Sequence, residues 1–507
     1  MIDLKYESRR AEDLTEAEIE ACSKLYGDSY GKYDKDSPFK PGEQIKMSAS
    51  QYRKRYCKDG VFLVRAMDMD RQVGHALYIR KSYEPYGIIT WVLQLVVHKD
   101  YRRQGIASTL LRSIWGFSDD FAWGLASANP CTVKTLESAT FRKCDTEFIV
   151  KNLDIIKIIG KDTTFVDDDA YVVDKNMSQV NTRFFADNSD YSYDRDCSRY
   201  LGELRPGHEW LAFTFREQPI SRDSFNRHFS RMMKGYKEIL KDAYSRMNLS
   251  EHPWTKGTDN EVEFLRQYCD SCSVLDMGCG SGRHSIVLAE LGYSVTAVDN
   301  SERLIDKAKA SSKNMQGLRF TVSDIRKYRD KAKYDMAICL FDVIGSYPNI
   351  PDNQRIMRTA YRNLKAGGLF ILSVMNMELT ENMIPDNRKG NMSRRPDILE
   401  NLPSADIMQS TGQIFDPEYL AMDTERNLIY RKEKFENDNG LPAEYIIRDK
   451  RYRKQEIIAM LEGMGFEIMD ARYVQRGHFD IPLDALDERA KEICVVCRKQ
   501  IKSARNP

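Results

Sequence analysis

Residues 275–285, LDMGCGSGRHS, place three glycines in five positions directly behind an apolar stretch, and no other segment constrains the fold as strongly. The residues before them complete a short buried strand, and SGRHSIVLAELG has helical spacing of its apolar residues. Strand, glycine turn and helix in this order are typical of a nucleotide site in a doubly wound sheet. A dinucleotide fingerprint, G-x-G-x-x-G, would need a glycine where Arg283 stands, so NAD is disfavoured.

Acidic residues close the next strands of the same segment. YSVTAVD ends at Asp299 and LRFTVSDI carries Asp324, while KYDMAICLFDVIGSY and LKAGGLFILSV supply a fourth and a fifth strand. A carboxylate at the end of the second strand is placed to accept hydrogen bonds from both hydroxyls of a ribose, each worth about 1.5–3 kcal/mol. The pattern predicts a doubly wound sheet whose ligand lies across the carboxyl edge.

Residues from about 235 to 500 therefore resemble a class I S-adenosylmethionine-dependent methyltransferase. The resemblance implies that the glycine loop approaches the methionine part of the cofactor, that Asp299 binds the ribose and that Asp324 lies near the adenine amine. Because adenosylmethionine has no phosphate, the glycines would serve close approach rather than anion binding. The resemblance implies cofactor contacts for Tyr236, Asp276, Gly278, Gly280, Gly282, Asp299, Asn300, Asp324, Ile325 and Leu340.

Methyl transfer from an activated sulfonium depends largely on in-line placement of the acceptor, and a general base is needed only when the acceptor keeps its proton. Candidate bases are Asp342 and Tyr347, in the loop after the fourth strand, and His478 in QRGHFD. Each also fits a packing or surface position, and a lone histidine is more often structural. No NPPY-type tetrapeptide follows the fourth strand, which disfavours an adenine-N6 or glutamine-amide methylase.

The first part of the chain has a different pattern. VFLVRAMDMD, VGHALYIRK and GIITWVLQLVVH predict three strands of an antiparallel meander, because they are rich in β-branched residues. They lead into HKDYRRQGIASTLLRSIWGF, whose second part has helical spacing. A helix start preceded by two arginines and a glycine offers free N–H groups and positive charge, which suit a pyrophosphate. FAWGLASANP then predicts a strand, CTVKTLESATF a helix and EWLAFTF a late strand.

The hexapeptide at 102–107 matches R/Q-x-x-G-x-G/A directly after the strand LQLVVH, and residues 1–150 resemble the GNAT acetyltransferases. The resemblance implies that the backbone of Leu95 and Val97 binds the pantetheine arm of acetyl-CoA, and that Asn129 contacts the same cofactor. It assigns the pyrophosphate loop to Arg102, Arg103, Gln104, Gly105, Ile106 and Ala107.

The catalytic group of this half departs from the family pattern. Where many relatives have a tyrosine acid, alignment through Asn129 and Phe141 places Glu137 or Leu136. A carboxylate there is a candidate base toward an ammonium substrate, and His98 at the strand end is a second candidate. Both residues also fit structural positions.

Two later segments predict parts of the methyltransferase half. FDPEYLAMDTERNLIYRKEKFEN and LPAEYIIRDKRYRK alternate on either side of NDNG, which predicts a β-hairpin over the active site within residues 415–455. The run Arg448 to Lys454, RDKRYRK, mixes basic and aromatic residues as RNA-binding patches do, but we favour a solvated strand end. RHFSRMMKGYKEILKDAYSRM, which contains Tyr236, predicts the entry helix of this half.

Composition limits the partners and the compartment. A net charge of +1 provides no global field for nucleic acid, so a small-molecule partner is favoured, although a local basic groove stays possible. The sequence shows neither a signal-peptide pattern nor an uncharged run near the ~20 residues of a membrane span, which predicts a soluble, cytoplasmic protein. The oligomeric state is not predicted.

Eleven cysteines without a regular framework predict reduced thiols. Cys269/Cys272 and Cys494/Cys497 have the spacing of zinc half-sites. The second pair lies on a predicted strand, where residues three apart face opposite sides and cannot chelate one ion. We therefore expect no metal site.

Together these patterns predict an α/β chain of two domains, since 507 residues exceed one hydrophobic core. The first is a GNAT-like mixed α+β sheet over residues 1–218, with its core in 1–150, and the second a Rossmann-like doubly wound methyltransferase over 219–507. We predict a bifunctional enzyme that acylates and methylates a small amine-bearing metabolite or biosynthetic intermediate. Two alternatives stay open: an RNA- or protein-modifying enzyme, and a methyltransferase whose first half only binds acetyl-CoA.

Overall fold

The computed structural model describes residues 4–163, 169–187, 195–246, 253–313, 315–406, 416–435 and 440–501. By its internal contacts the chain forms two compact α/β units. Unit 1 comprises residues 1–242, 393–400 and 434–446, and unit 2 comprises residues 243–392, 401–433 and 447–507. The predicted fold class is confirmed.

Unit 1 contains an eight-stranded mixed sheet of order β1-β2-β3-β4-β5-β8-β7-β6. The predicted meander is present, since β2, β3 and β4 pair antiparallel in sequence order. The strands are β1 Lys5–Arg10, β2 Phe62–Asp68, β3 Arg71–Tyr83, β4 Gly87–Val97, β5 Ala122–Ser127, β6 Tyr171–Asp174, β7 Met177–Asn181 and β8 His208–Phe215.

Helices cover this sheet and form its core with it. The strongly amphipathic helix α3 buries Leu110, Leu111 and Ile114 against the sheet, as its spacing predicts. The helices are α1 Glu16–Ser29, α2 Ala49–Tyr56, α3 Ile106–Trp115, α4 Pro130–Thr140, α5 Thr146–Lys151, α6 Leu153–Thr163, α7 Arg195–Leu201, α8 Arg222–Arg246 and α14 Pro396–Glu400.

The boundary between the units differs from the predicted one at residues 218 and 219. The first part of α8 belongs to unit 1, because Phe225 packs edge-on against Phe141 with ring centroids 5.0 Å apart. Apolar positions on a long helix do not reveal which partner they meet, so the sequence assigned α8 to the following domain.

Strands β4 and β5 open a gap in the sheet of unit 1. Their parallel ladder ends at Val92 and Leu125, whereas the strands continue to Val97 and Ser127. The register between β3 and β4 shifts at this level, which leaves Leu93 as an extra, bulged residue. A bulge bends its strand, so the carboxyl end of β4 turns away from β5.

Unit 2 contains the predicted Rossmann-like sheet, of order β11-β10-β9-β12-β13-β21-β19-β20. Strands β9 to β13 are parallel, and β21 is antiparallel to β13. The strands are β9 Ser273–Met277, β10 Ser294–Asp299, β11 Leu318–Val322, β12 Tyr334–Cys339, β13 Leu364–Met375, β19 Phe466–Gln475, β20 His478–Leu483 and β21 Glu492–Lys499.

Both faces of this sheet are covered, as a doubly wound sheet requires. Leu275 belongs to the hydrophobic cluster that contains residues of α12 and α15, whereas its neighbour Val274 belongs to the cluster with α9 and α10. The helices are α9 Thr258–Arg266, α10 Arg283–Glu290, α11 Glu302–Ser311, α12 Ile350–Asn363, α13 Met377–Met383 and α15 Lys454–Glu462.

A third, smaller sheet has the order β14-β16-β17-β15, with β18 beside β17. The strands β16 to β18 occupy the segment in which a hairpin is predicted. They are β14 Lys389–Gly390, β15 Ser404–Asp406, β16 Leu420–Asp423, β17 Leu428–Phe435 and β18 Ala443–Asp449.

The cysteines differ from the expectation in one place. Cys269 and Cys272 form a disulfide bond, so the prediction of reduced thiols is wrong for this pair, while the other nine cysteines are free. Cys494 and Cys497 belong to the hydrophobic clusters on opposite faces of the sheet, as their spacing on a strand predicts. Within the described ranges, no helix combines the length and the apolar character that crossing a membrane requires.

Candidate active sites

The carboxyl ends of β9, β10, β11 and β12 meet at one edge of the unit 2 sheet, because these strands are parallel. The glycine turn follows β9, Asp299 ends β10 and Asp324 follows β11 by two residues. The loop 340–347 follows β12. The structure thus gathers the predicted methyl-donor residues at one edge.

The glycine turn needs residues without a Cβ atom. Gly278, Gly280 and Gly282 have φ of +83°, +56° and +83°, a region that favours glycine. A Cβ atom on Gly278 would lie 2.7 Å from Val343, and one on Gly282 would lie 2.8 Å from Phe320. The turn therefore packs closely against neighbouring segments. Because its glycines have no side chains, they leave the backbone of the turn accessible.

Two carboxylates flank this turn. Asp276 is 4% exposed and accepts a hydrogen bond from the Ser285 hydroxyl at 2.6 Å, and burial raises its pKa to about 6. Asp299 accepts hydrogen bonds from the backbone N–H of Gly280 at 3.0 Å and of Ser301 at 2.9 Å. These two hydrogen bonds fix the orientation of the Asp299 carboxylate at the sheet edge. The ribose acceptor that the sequence predicts requires a carboxylate with a fixed orientation.

Asp324, which is predicted to lie near the adenine amine, is already paired with a neighbouring arginine. Asp324 forms an ion pair with Arg326 at 2.6 Å, and the same guanidinium lies 4.6 Å from the ring centroid of Tyr347. Burial raises the pKa of the Tyr347 hydroxyl. Of the other assigned residues, Ile325 and Leu340 are buried and Asn300 is exposed.

A buried ionic cluster that the sequence analysis missed lies behind the turn. Glu261, fully buried on α9, accepts hydrogen bonds from Arg283 and His284, each at 2.7 Å, and from the backbone N–H of Gly477 at 3.0 Å. Burial lowers the pKa of His284 to about 4, whereas His284 and Arg283 outweigh the effect of burial on Glu261 and lower its pKa. Arg283 also lies over the Phe341 ring at 4.2 Å.

The candidate bases of unit 2 have different surroundings. Phe341 and Asp342 both have left-handed φ, +62° and +58°. The Oδ1 atom of Asp342 is buried and has no hydrogen-bond partner within the described ranges, and burial together with the charge of Asp449 raises its pKa well above the usual range. His478 begins β20, one residue after Gly477. No distance places His478 or Tyr347 against a substrate, so both stay predictions.

The middle of the basic run before α15 is buried. Asp449, Lys450 and Arg451 are 1%, 3% and 1% exposed, so the solvated interpretation is wrong for this part of RDKRYRK, whereas Arg453 is exposed. Asp449 accepts hydrogen bonds from Arg431 and, at 3.0 Å, from Arg451, whose guanidinium also donates to the Thr380 hydroxyl at 2.8 Å. The partner Arg431 comes from another strand, which a local charge pattern does not reveal.

Unit 1 contains a cavity of about 1120 Å³ at the gap between β4 and β5. This volume is slightly above the range of about 300–1,000 Å³ that is usual for small-molecule sites, so the cavity has room for a large organic ligand. Of the predicted cofactor residues, those that line the cavity are Leu95, Val97, Arg102, Arg103, Gly105, Ile106, Ala107 and Asn129. Gln104 instead donates from its side chain to the Asp100 carbonyl at 3.4 Å.

The loop before α3 has the geometry of an anion site. Arg103 and Gly105 have φ of +61° and +86°, and α3 begins at Ile106 directly after Gly105. The first N–H groups of a helix have no partner inside it and carry partial positive charge. Arg102 donates to the backbone carbonyls of Ser29 and Val97, so its guanidinium also holds the loop in place.

The predicted catalytic groups of unit 1 are held by neighbours. Glu137 lines the cavity, accepts a hydrogen bond from the Cys144 N–H at 3.0 Å and lies 3.7 Å from Lys134. Burial raises its pKa. His98 forms a hydrogen bond with Arg71 at 2.8 Å, and the described lining of the cavity does not include it. The side chain of Tyr236, assigned to the methyl donor, lies outside the described residues.

Comparisons with known proteins match both halves separately. The acetyltransferase (GNAT) family matches residues 20–119, and a methyltransferase domain family matches residues 269–436. The chain is 35% identical over 105 residues to a ubiquinone biosynthesis O-methyltransferase of Coxiella burnetii, covering 20% of this chain and 43% of that one. It is 29% identical over 168 residues to the protein of that name from Rickettsia conorii, covering 30% and 54%.

Among solved structures, the CcbJ methyltransferase of Streptomyces caelestis superposes with a TM-score of 0.39 at 17% identity, over 52% of this chain and 96% of that chain. In the sequence comparisons, the chain spans about half the length of the two ubiquinone biosynthesis O-methyltransferases that it matches. The GNAT match lies in unit 1, which carries the loop before α3, and the methyltransferase match lies mostly in unit 2, which carries the glycine turn. The chain thus carries a match to the GNAT acetyltransferase family within residues 20–119 and a match to a methyltransferase domain family within residues 269–436.

Proposed function

We propose that the protein is a bifunctional transferase that acylates and methylates a small amine-bearing metabolite or biosynthetic intermediate, with an acyl-CoA and S-adenosylmethionine as donors. The observation that carries the proposal is the presence of one donor-type site in each unit: the cavity at the start of α3 in unit 1, and the glycine turn beside Asp299 in unit 2.

In unit 2 the residues present suit the methyl donor. The glycine turn would approach its methionine part, and the Asp299 carboxylate would accept from the ribose hydroxyls. The bound donor supplies a methyl group on an activated sulfonium. The chain's own contribution is then to place the acceptor in line and to remove a proton where the acceptor carries one. Asp342 and Tyr347, in the loop that packs on Gly278 through Val343, are the candidate groups.

In unit 1 the residues present suit an acyl-CoA. The N–H groups at the start of α3 and the cationic side chains around them would hold the phosphates, and the backbone of β4 beyond Val92 would pair with the pantetheine arm. The bound thioester supplies an acyl group. The cavity residues orient the acceptor and limit the access of water.

The near-neutral charge of the chain supports a small acceptor over a nucleic acid. The test is incubation of the purified full chain with labelled acetyl-CoA or labelled S-adenosylmethionine and a cell extract, followed by mass identification of the labelled products. We expect both labels in small molecules, in at least one case in the same molecule. Label that stays in RNA or protein, with retention on heparin that falls with salt, would contradict this acceptor class.

A second candidate follows from the hydrogen bond between Glu137 and Cys144. Glu137 stands where many relatives have a tyrosine acid, and its carboxylate already accepts a hydrogen bond from the Cys144 N–H. Unit 1 is therefore also suited to bind acyl-CoA without transferring the acyl group. This candidate predicts that acetyl-CoA raises the thermal midpoint of unit 1 while no amine in a broad panel is acetylated. Release of CoA that depends on an added amine would exclude it.

A further inference from the structure

One cysteine pair of unit 2 differs from the other cysteines of the chain. Cys269 and Cys272 form a disulfide bond, whereas the other nine cysteines are free. The bond lies in the turn between the end of α9 at Arg266 and the start of β9 at Ser273. Structural disulfide frameworks use several cysteine pairs, whereas one disulfide among free thiols is typical of redox-sensing proteins.

Backbone hydrogen bonds hold this turn without the sulfur atoms. The Tyr293 hydroxyl donates to the Cys269 carbonyl at 2.6 Å, and the Ser294 N–H donates to the Cys272 carbonyl at 3.2 Å. The disulfide closes a loop of only four residues, 269–272, and a loop this short removes little entropy from the unfolded chain. Folding of unit 2 therefore does not depend on the bond, and the turn keeps its hydrogen bonds when the bond opens.

The two cysteines differ in their accessibility. Cys269 is partly exposed and precedes the exposed Asp270 and Ser271, whereas Cys272 is 9% exposed. A reductant therefore reaches Cys269 first. Ser271 has a left-handed φ of +50°, a region that is costly for residues other than glycine, and opening the loop lets it leave this region. Exposed and strained disulfides are the ones that are readily reduced.

The disulfide joins two segments that both support the glycine turn. β9 leads directly into the turn at Gly278. α9 carries the buried Glu261, which accepts hydrogen bonds from Arg283 and His284 in the first turn of α10, each at 2.7 Å. α10 begins directly after Gly282, the last glycine of the turn. Without the disulfide, the end of α9 is tied to β9 by fewer constraints, so α9 opens more readily.

We propose that Cys269 and Cys272 are a reversible redox site, which a dithiol reductant opens and the corresponding disulfide closes, and that opening it loosens α9 and weakens binding at the glycine turn. The effect on binding rests on the proposed methyl-donor site. The redox chemistry of the pair does not depend on that site.

The reduction is a thiol–disulfide exchange in two steps. One thiolate of the reductant attacks the Sγ atom of Cys269, and the S–S bond breaks with its electron pair on the Sγ atom of Cys272, which takes a proton. The second thiolate of the reductant then attacks its own sulfur in the mixed disulfide, and Cys269 leaves and takes a proton. Two electrons and two protons pass from the dithiol to the cysteine pair, and the dithiol becomes a disulfide.

The first test measures the redox state of the pair. The full chain is equilibrated in mixtures of reduced and oxidised dithiothreitol, quenched in acid and labelled with N-ethylmaleimide in denaturant, and the peptides are analysed by mass. The Cys269/Cys272 peptide should pass from no label to two labels in one transition and should return on reoxidation. Two labels at every mixing ratio, or none at the most reducing ratio, would overturn the redox site.

The second cysteine pair provides an internal control for this test. Cys494 and Cys497 have the same spacing, but they belong to the hydrophobic clusters on opposite faces of the unit 2 sheet. The peptide that contains them should carry two labels at every ratio of reduced to oxidised dithiothreitol.

The second test compares the oxidised and the reduced full chain. Reduction should speed hydrogen exchange in α9 peptides and lower S-adenosylmethionine affinity at least threefold by calorimetry, and reoxidation should restore both. The double variant Cys269→Ser with Cys272→Ser should behave as the reduced wild type in both buffers. Cys57→Ser, which removes a partly exposed free thiol of unit 1, should respond to the buffers as the wild type does.

The outcomes separate this inference from the proposed function. If the pair titrates reversibly but both states bind S-adenosylmethionine equally well, the effect on the glycine turn is wrong and the redox site stands. If neither state binds S-adenosylmethionine, the proposed methyl-donor site fails, while labelling and hydrogen exchange still decide whether the pair is a redox site.

Discussion

The Asp276 carboxylate, at the carboxyl end of β9, accepts a hydrogen bond at 2.6 Å from the hydroxyl of Ser285 in the first turn of α10. This bond ties the strand to the helix across the glycine turn. Burial nevertheless makes the ionised form costly and raises the pKa of Asp276 from 3.8 to about 6. Ionised Asp276 lowers the stability of the folded protein, and it lies beside the glycine turn. We infer that this loss of stability is retained because the carboxylate contributes to ligand binding.

The first prediction concerns Asp276→Asn. Burial raises the folded pKa of Asp276 to about 6, above the unfolded value of 3.8. The free energy of unfolding is therefore unaffected by this group below pH 3.8 and falls as pH rises toward 6. At pH 7 the ionised Asp276 lowers the free energy of unfolding by about 3 kcal/mol. The variant should slow hydrogen exchange in β9 and β10 peptides at pH 7 and should weaken S-adenosylmethionine binding. Faster exchange than in the wild type would contradict this prediction.

His284 predicts the opposite pH dependence. Burial lowers its pKa from 6.5 to about 4, so its contribution is present above pH 6.5 and is lost as pH falls toward 4, again about 3 kcal/mol. In His284→Gln, which keeps a donor toward Glu261, unit 2 should lose less stability than the wild type on acidification from pH 6.5 to 4. Hydrogen exchange of α10 peptides measures this difference. An unchanged pH profile would show that His284 is not buried in its neutral form.

Local signals predicted the backbone geometry of the glycine turn and of the loop before α3. Glycines at positive φ and acids at strand ends are set by the backbone within a few residues, so Gly278, Gly105 and Asp299 were recognisable in the sequence. The pairing of β2 to β4 was predictable for the same reason.

Long-range partners were not predictable. Glu261 has no local pattern, because its role depends on Arg283 and His284, which lie more than 20 residues away in the sequence. The buried Arg451 was interpreted as solvated since its ion-pair network includes another strand. The Cys269–Cys272 disulfide was missed because cysteine spacing alone does not give the oxidation state.

The third prediction concerns the binding of S-adenosylmethionine by the variant Asp299→Ala. Loss of two charged acceptor bonds to a ribose, each worth about 1.5–3 kcal/mol, should weaken S-adenosylmethionine binding at least about 100-fold. Calorimetry measures this effect, and acetyl-CoA binding should be unchanged. Asp306→Ala, exposed on α11, is the matched control and should bind both donors normally. Normal methyl-donor affinity in Asp299→Ala would remove Asp299 from the site.

Gly116 predicts a large stability effect in unit 1. It has φ of +67°, and a Cβ atom there would lie 1.9 Å from the carbonyl oxygen of Glu444. Gly60 has a similar φ, +75°, with open space around the Cβ position. Gly60→Ala should therefore cost about 1 kcal/mol and Gly116→Ala more than about 3 kcal/mol. Urea unfolding followed by tryptophan fluorescence compares them. Equal midpoints for the two variants would contradict the predicted collision.

Asp449 predicts a large effect in unit 2. Asp449→Asn would leave the guanidinium groups of Arg431 and Arg451 buried with less compensation, which typically costs about 3–5 kcal/mol. Asp487→Asn removes an ion pair to the exposed Arg489 and should have little effect, because water screens the attraction between exposed charges. Hydrogen exchange of the peptides that contain Arg431 and Arg451 measures the difference. A small effect of Asp449→Asn would mean that water reaches the network.

The last prediction concerns Gly105, which begins the loop-to-helix junction at φ +86° and whose Cβ position lies 3.0 Å from the Cδ atom of Arg231. Gly105→Val should turn the N–H groups of α3 away from the phosphates and lower acetyl-CoA affinity at least tenfold, without changing S-adenosylmethionine binding. Gly42→Val, at φ +72° with open space, controls for backbone strain alone. Arg231→Ala should not rescue Gly105→Val, because removing the neighbour leaves the positive φ unchanged. If it does rescue binding, the collision matters rather than the left-handed backbone.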